Sequence, residues 1–217
     1  MRLTKNMFNM QSIALAGAMS VSLGVLPNVA QAELTGNVGL TSNYIWRGVT
    51  QTDDAAAISG GIDYGHDVGI YLGTWISNTT SAVGPETDLY IGFAKDIGDF
   101  GFDVGYISYM YAQNNDVPDI DFEEIYVGGT WKMLSAKYSD DGDNNYIEAA
   151  VDFEIAKDLS LALHYGSYSF DVSAGDYSDY SIALNKGDWS FMLSDTDAPM
   201  DDYRLMVAYS ISVDLLK

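Results

Sequence analysis

The sequence predicts an all-β fold: a single twelve-stranded antiparallel transmembrane barrel of the outer-membrane type, following a cleaved signal peptide. Three observations lead to this prediction. Apolar and polar residues alternate almost throughout residues 33–217, which is the period of strands with two different faces. The connections between strands alternate between short and long. Aromatic residues gather near the strand ends on the apolar face, as they do at the two interfaces of a membrane barrel.

The first 32 residues read as a secretory signal peptide. Met1–Asn6 carries Arg2 and Lys5, an apolar run follows from Ile13 to Leu26, and Ala30-Gln31-Ala32 is a small-x-small cleavage site. A membrane anchor is the alternative, but the apolar run is shorter than the roughly 20 residues of a spanning helix. The predicted organisation is a signal peptide over 1–32 and one barrel domain over 33–217.

The composition is strongly acidic and lacks cysteine. The chain of 217 residues has 31 acidic and 10 basic residues, a formal net charge of −21, and no cysteine. Such a charge argues against binding to nucleic acid or to anionic lipid surfaces. An exported chain without cysteine has no disulfide framework, so its stability must come from another source.

Twelve segments with an alternating apolar face predict the twelve strands. For the first six, these faces are Leu34, Val38, Leu40, Tyr44 and Trp46; Ile58, Ile62 and Tyr64; Val68, Ile70, Leu72 and Ile76; Leu89, Ile91 and Phe93; Phe100, Phe102, Val104 and Tyr106; and Ile125, Val127 and Trp131. For the last six, they are Leu134, Ala136 and Tyr138; Ile147, Val151, Phe153 and Ile155; Leu159, Leu161, Leu163 and Tyr165; Tyr180, Ile182 and Leu184; Trp189, Phe191 and Leu193; and Tyr203, Leu205, Val207, Tyr209 and Ile211.

The connections divide into two classes. Short turns are expected at 65–67, 96–99, around Lys132, at 156–158 and at 186–188. Long loops are expected near 48–55, 78–87, 112–121, 139–145, 169–178 and 195–202. Short periplasmic turns, long outer loops and an even strand number are the layout of an outer-membrane barrel.

A soluble antiparallel sandwich is the alternative, because its strands alternate as well. Strict alternation in loop length, the aromatic residues near strand ends and a strongly charged polar face all favour the barrel. The physical reason for closure is that lipid cannot satisfy the hydrogen-bonding groups of an open sheet edge. One face then meets lipid and the other lines a lumen.

Residues 42–78, "SNYIWRGVTQTDDAAAISGGIDYGHDVGIYLGTWISN", resemble the TorF-type porin family of Gram-negative outer membranes, and residues 86–111 are similar to that family too. The matching features include Ser42-Asn43-Tyr44, Arg47-Gly48 and Asp63-Tyr64. The resemblance implies an outer-membrane porin that the barrel-assembly machinery inserts. Strands of such barrels often finish on an aromatic residue, whereas this sequence ends Asp214-Leu215-Leu216-Lys217 and departs from that pattern.

Strand parity predicts which charged residues face the lumen. The predicted lumen charges, candidates for setting ion selectivity, are Asp63, Asp103, Glu124, Lys137, Glu148, Asp152 and Glu154. Rings of acidic side chains favour the passage of cations. Lumen tyrosines and tryptophans such as Tyr71, Trp75 and Tyr126 could stack a sugar or merely fill space. A barrel of twelve strands is intermediate in width between narrow barrels that side chains fill and wide barrels that hold a channel. The sequence is therefore compatible with a narrow pore and with a plugged barrel.

Arg47 and Arg204 are predicted to form a basic pair at the outer rim. Both point inward by parity, at the outer ends of the first and last strands, which meet at the barrel seam. Asp53, Asp54, Asp201 and Asp202 in the adjoining loops are the expected counter-charges. The two arginines could fix a loop or an anionic ligand, although a structural salt bridge at the rim is the favoured interpretation.

The sequence offers little for catalysis or for cofactors. Its two histidines are His66 in a predicted turn and His164 on a predicted lumen face, and no Gly-x-Ser-x-Gly motif occurs. Asp140-Asp141-Gly142-Asp143-Asn144 resembles part of a calcium loop but lacks the downstream glutamate of an EF-hand. We therefore expect no enzyme activity, no cofactor and no metal.

The expected function is passive diffusion of small solutes, with a preference for cations or neutral molecules. The alternative is a non-conducting barrel whose acidic loops serve adhesion or envelope structure. The expected partners are outer-membrane lipid, lipopolysaccharide, the barrel-assembly machinery and small solutes, and the expected location is the bacterial outer membrane.

Overall fold

The computed structural model describes residues 33–112, 120–171, 175–199 and 202–216. These form fourteen strands: β1 (Glu33–Thr41), β2 (Ile45–Trp46), β3 (Val49–Thr50), β4 (Ala57–Gly65), β5 (Ile70–Ser77), β6 (Glu86–Ile97), β7 (Phe100–Tyr111), β8 (Phe122–Trp131), β9 (Leu134–Asp140), β10 (Asn144–Ala156), β11 (Leu159–Phe170), β12 (Tyr177–Lys186), β13 (Trp189–Thr196) and β14 (Arg204–Leu216). The predicted signal peptide lies outside the described residues and stays a prediction. No helix long and apolar enough to cross a membrane occurs in the described ranges.

Twelve of these strands close into one antiparallel barrel, which confirms the predicted fold class. β1 pairs with β4 on one side and with β14 on the other, and all other barrel strands pair with their neighbours in the chain. β2 and β3 are not part of the wall and form a separate two-stranded hairpin. Closure pairs every strand of the wall on both sides, so no sheet edge is left to meet lipid.

The outer surface is apolar because alternate residues of each strand point outward. In β13, Trp189, Phe191 and Leu193 are exposed, while Met192 between them is buried in the interior. The same alternation runs along β6, where Leu89, Ile91 and Phe93 face outward. Exposed residues of this kind in a closed barrel form a lipid-facing belt. The aromatic residues predicted for it are exposed at Phe100, Trp131, Tyr138, Phe153, Tyr165, Tyr180, Trp189 and Tyr203.

The short turns lie where the sequence predicts them. β6 and β7, β8 and β9, β10 and β11, and β12 and β13 are each joined by two residues, and β4 and β5 are joined by residues 66–69. Lys132 and Asp158 have positive φ angles of 56° and 55°, as tight two-residue turns require. We call this end of the barrel, which carries the lysines of the turns, the periplasmic end, after the usual arrangement of such barrels.

One predicted long loop, over 139–145, is instead a tight turn, so the alternation of loop length is not strict. β9 continues to Asp140 and β10 begins at Asn144. Asp140 Oδ1 accepts a hydrogen bond from the Gly142 N–H at 2.9 Å. Asp141 Oδ1 accepts from the N–H groups of Asp143 and Asn144 at 2.9 and 2.6 Å. The side chains that resembled a calcium loop thus serve as turn-forming acceptors, as aspartates commonly do. Within the described residues, no group of three or more acidic or histidine side chains is placed to hold a metal ion.

Tyrosine rings on the lumen face lie across glycines of the neighbouring strand. Gly73 of β5 is opposite Tyr90 of β6, and Gly105 of β7 is opposite Tyr126 of β8. A Cβ atom at Gly73 would approach the Tyr90 ring to 2.5 Å. The glycines therefore let the tyrosines lie flat along the wall, which keeps ring volume out of the middle of the lumen.

Replacing Gly73 with valine should lower the free energy of unfolding by about 1–3 kcal/mol, because overpacking forces Tyr90 off the wall. Urea titration of the barrel in lipid vesicles measures the effect. Gly129→Val is the matched control, since a Cβ there meets only the Gly101 carbonyl oxygen at 3.5 Å, an ordinary contact. Equal losses for the two variants would contradict the role assigned to the tyrosine.

Candidate functional site

The connection between β1 and β4 folds back into the lumen. β1 ends at Thr41, and residues 42–56, which we call the inserted segment, contain the hairpin of β2 and β3. Asn43, Tyr44, Ile45, Arg47 and Gly48 of this segment are all buried. The sequence prediction that Tyr44 and Trp46 face lipid at the end of the first strand is wrong, because the wall strand stops before them. Arg47 lies inside the barrel as predicted, but on this hairpin rather than on the wall.

The hairpin turn is made by Arg47 and Gly48. Both have positive φ, 48° and 81°, the feature of a two-residue type I′ turn. The Gln51 N–H donates to the Tyr44 carbonyl at 2.6 Å and closes the hairpin. A non-glycine residue with positive φ is uncommon and costs of order 1–3 kcal/mol, so it persists only where its surroundings hold it.

Arg47 is held by a carboxylate and three aromatic rings. Its Nη1 lies 2.8 Å from Glu124 Oε1, and its Nη2 donates to Glu124 Oε2 at 2.8 Å. The guanidinium carbon is 4.2 Å from the Trp46 ring centre, 4.3 Å from Tyr146 and 5.0 Å from Tyr168. Burial lowers the pKa of Arg47, but the charge and hydrogen bond of Glu124, together with contributions from Tyr109 and Tyr168, outweigh it, so the pKa lies above its ordinary value. The result is a buried two-point ion pair between the segment and β8.

A second anchor joins the segment to β5 and β6. The Tyr44 hydroxyl donates to Glu86 Oε1 at 2.6 Å, and its ring meets the Trp75 ring edge-on with centroids 5.5 Å apart. Burial, together with the charge of Glu86, raises the pKa of Tyr44 well above its ordinary value, so this hydroxyl remains a donor. Asp88, two residues after Glu86 on the same face, is also buried.

The opposite wall contacts the apolar side of the hairpin. Ile45 is fully buried in a cluster with small or flexible side chains of four strands: Ala162, Ala183, Met192, Met206 and Ala208. Gly48 fits against β12 and β13, where an added Cβ would lie 2.6 Å from Asp179 Cβ and 3.1 Å from Thr196 Cβ. Contacts on both sides of the barrel show that the inserted segment spans the outer half of the lumen.

The two arginines predicted as a pair at the outer rim have different partners, and Arg204 is bonded to Asp54, one of the expected loop aspartates. Arg204 Nε donates to Asp54 Oδ1 at 2.6 Å, and Asn43 Nδ2 donates to the same oxygen at 2.8 Å. Arg204 therefore fastens the exposed end of the inserted segment, whereas Arg47 pairs with Glu124 in the interior. Of the other expected counter-charges, Asp201 lies outside the described residues.

Below the inserted segment the wall carries a network around His164. The Tyr146 hydroxyl donates to Asp179 Oδ2 at 2.8 Å, and His164 Nε2 lies 3.0 Å from Asp179 Oδ1. Lys137 Nζ lies 2.7 Å from Glu148 Oε1, and His164 Nδ1 lies 3.7 Å from Glu148 Oε2. The predicted lumen residues Lys137 and Glu148 are thus brought together, and each offsets the charge of the other.

The remaining predicted lumen carboxylates are bonded to neutral groups or exposed. Asp63 accepts hydrogen bonds from Asn37 Nδ2 at 3.0 Å and from the Tyr90 hydroxyl. Asp103 accepts from the Tyr71 hydroxyl at 2.7 Å. Asp152 accepts a longer bond of 3.4 Å from Ser160 Oγ. Glu154 is exposed near the periplasmic end of β10.

Sequence reasoning missed three buried acids of the lumen, which are Glu86, Asp88 and Asp179. The signal was present, because Glu86 and Asp88 have the opposite parity to outward-facing Leu89 and Ile91. Asp179 likewise precedes outward-facing Tyr180. Their partners could not have been predicted, since Tyr44 reaches Glu86 only after the segment folds inward.

Solved structures share this fold. The structure called "KdgM porin" matches with a TM-score of 0.56 and 13% identity, over 82% of this chain and 99% of that one. "KdgM porin in complex with disordered oligogalacturonate" matches with a TM-score of 0.52 and 12% identity, over 83% of this chain and 99% of that one. At such identity the likeness shows the fold alone.

No curated protein matches the sequence. A family described as "Bacterial protein of unknown function (Gcw_chp)" matches residues 28–214, nearly the whole of the predicted barrel domain. The chain therefore belongs to this bacterial family.

Proposed function

We propose that the protein is an outer-membrane channel through which small solutes diffuse passively, with a preference for cations or neutral molecules. The observation that carries this proposal is a closed barrel with an apolar outer belt around a charged, hydrogen-bonded lumen. The resemblance of residues 42–78 to TorF-type porins supports the same function. In this proposal the barrel-assembly machinery inserts the chain, and outer-membrane lipid and lipopolysaccharide surround it.

We infer the cation preference from the lumen carboxylates that are bonded to neutral groups and not to a cationic side chain. Glu124 and Glu148 have cationic partners in Arg47 and Lys137. Asp63 and Asp103 accept hydrogen bonds from the neutral groups of Asn37, Tyr90 and Tyr71. A carboxylate bonded only to neutral donors keeps its negative charge toward the lumen, where weak screening lets it attract cations.

The inserted segment restricts the solutes to small ones. It contacts β5, β6, β8 and β10–β14 in the outer half of the barrel, so any path must pass beside it. A structurally similar porin is described as a complex with oligogalacturonate. A chain of uronic acids would meet an acidic lumen here, so we do not extend that ligand to this protein.

Replacing Asp63 and Asp103 together with asparagine should shift the reversal potential toward that of a non-selective pore. Asparagine keeps an acceptor for Tyr90 and Tyr71 but removes both negative charges. The measurement is the reversal potential of the purified protein in a planar bilayer under a KCl gradient. The matched control is Asp67→Asn with Asp99→Asn, two exposed acids of the periplasmic turns, whose charges are screened by salt over about 10 Å at 0.1 M. An unchanged reversal potential in the Asp63→Asn, Asp103→Asn variant would show that these two residues do not set the cation preference.

The second candidate is a non-conducting barrel whose acidic outer loops serve adhesion or envelope structure. The observation that favours it is the inserted segment, which occupies the outer half of the lumen. The same bilayer recordings separate the two functions. Reproducible open steps support a channel, whereas silent insertion of folded protein supports the second candidate.

A further inference from the structure

We propose that Glu124, Tyr146 and Tyr168 form a cation-binding box in the barrel wall that takes guanidinium or similar planar organic cations. Arg47 occupies this box as an internal ligand. The inference deepens the proposed function, on which it rests, by naming a substrate class for the lumen. The box belongs to β8, β10 and β11, whereas its occupant belongs to the inserted segment. Site and ligand are therefore separate parts of the fold.

The geometry of the box matches a guanidinium group. Each oxygen of Glu124 lies 2.8 Å from a terminal nitrogen of the guanidinium, and Nη2 donates a hydrogen bond to Oε2, a close pairing of the kind that planar guanidinium makes with a carboxylate. The Tyr146 and Tyr168 rings lie 4.3 and 5.0 Å from the guanidinium carbon. Cations are attracted to ring faces within about 6 Å, and more strongly when desolvated. These wall residues supply the counter-charge, one charge-assisted hydrogen bond and the ring faces that such a ligand needs.

The box needs an occupant of positive charge. Glu124 is buried, and its other hydrogen bond, from the Tyr109 hydroxyl, is long at 3.4 Å. Without Arg47 its carboxylate would remain buried with little compensation, which is costly. An organic cation arriving from the lumen removes the same cost, and the acidic loops at the mouth raise the local concentration of cations.

The occupant is held in a strained backbone. Arg47 has a φ of 48°, in a region that non-glycine residues avoid. Its binding to the box thus offsets a local conformational cost. When a free guanidinium replaces Arg47 in the box, that strain is released and the tip of the inserted segment detaches from β8. Solutes of this class therefore bind in the lumen and also loosen the inserted segment that obstructs it.

The test empties the box with Arg47→Gly and refills it with guanidinium chloride. Glycine favours positive φ, and Gly-Gly supports the same turn, so the hairpin is kept. We expect the purified variant in detergent to bind guanidinium with a dissociation constant of about 1 mM, since a four-heavy-atom ligand has limited binding free energy. Thermal unfolding and tryptophan fluorescence, to which Trp46 beside the box contributes, report the binding. Equal concentrations of sodium chloride and urea, a neutral analogue of the same shape, should have no effect.

Two further variants decide the outcome. Adding Glu124→Gln to Arg47→Gly should weaken guanidinium binding about tenfold or more, because the charge-assisted bonds are lost. Arg204→Gly, which removes a guanidinium bonded to exposed Asp54, should show no binding. Equal effects of guanidinium on Arg47→Gly and Arg204→Gly, or no effect on either, would overturn the proposal. These readouts do not depend on conduction, so a silent barrel that still binds guanidinium refutes the channel function but keeps the box.

Discussion

Replacing the inserted segment, residues 42–56, with the two-residue turn Asn-Gly should raise the single-channel conductance several-fold. Thr41 and Ala57 are directly paired, so a two-residue turn of this type can join β1 to β4 without a change of register. The replacement removes the buried groups of Tyr44, Ile45 and Arg47 from the outer half of the lumen. The cross-section that remains is set by the twelve-stranded wall and its flat tyrosines. Recordings in planar bilayers measure the change.

The matched control shortens the connection between β5 and β6 in the same way. Ser77 and Glu86 are directly paired, so residues 78–85 can also be replaced by Asn-Gly. None of those residues is buried, and their removal should leave the conductance close to that of the natural protein. A conductance that rises equally in both variants, or in neither, would show that the inserted segment does not limit the pore.

Replacing Glu124 with alanine should lower the free energy of unfolding by about 3–5 kcal/mol. The substitution leaves Arg47 as an uncompensated charge in a buried site, and removing one partner of a buried ion pair is costly in this range. Arg47 is only 4% exposed, so water cannot replace the carboxylate without displacing the hairpin. Urea unfolding in lipid vesicles measures the loss.

A double-mutant cycle separates the pair from its surroundings. Adding Arg47→Gly to Glu124→Ala should restore part of the lost stability, because no buried charge then remains without a partner. Glu154→Ala is the control for a glutamate on the same face, exposed near the periplasmic end, and should change stability by no more than about 0.5 kcal/mol. Additive losses in the cycle would mean that Arg47 and Glu124 do not act as a pair.

The faces of the wall strands were predictable from local pattern. Val38 and Leu40 face lipid while Asn37 faces the lumen, because successive side chains of a strand point to opposite sides. Parity also placed Asp63, Asp103 and Glu124 inside. Strand parity succeeds because closure of the barrel places one face of the sheet against lipid and the other against the lumen. A shift of one residue in a strand would exchange the two faces.

The end of β1 was not predictable in the same way. Tyr44, Trp46 and Arg47 continue the alternation of the strand, so their pattern suits a lipid-facing strand as well as a hairpin inside the lumen. A tryptophan ring can meet lipid at the interface or cover an arginine, and local sequence does not distinguish these surroundings. The turn Arg47-Gly48 carries the one local hint, a glycine that favours the positive φ of a tight turn.

The order of residues by itself determined that this chain closes into a barrel, which face of each strand meets lipid, and that acidic groups line the interior. These properties depend on neighbours one or two residues apart. Only the tertiary structure decided that residues 42–56 enter the lumen and that Arg47 pairs with Glu124, 77 residues away. Such a pairing depends on where β8, β10 and β11 stand around the closed wall. The physical reason is that strand parity is a local property, whereas contact across a lumen is set by the closure of all twelve strands.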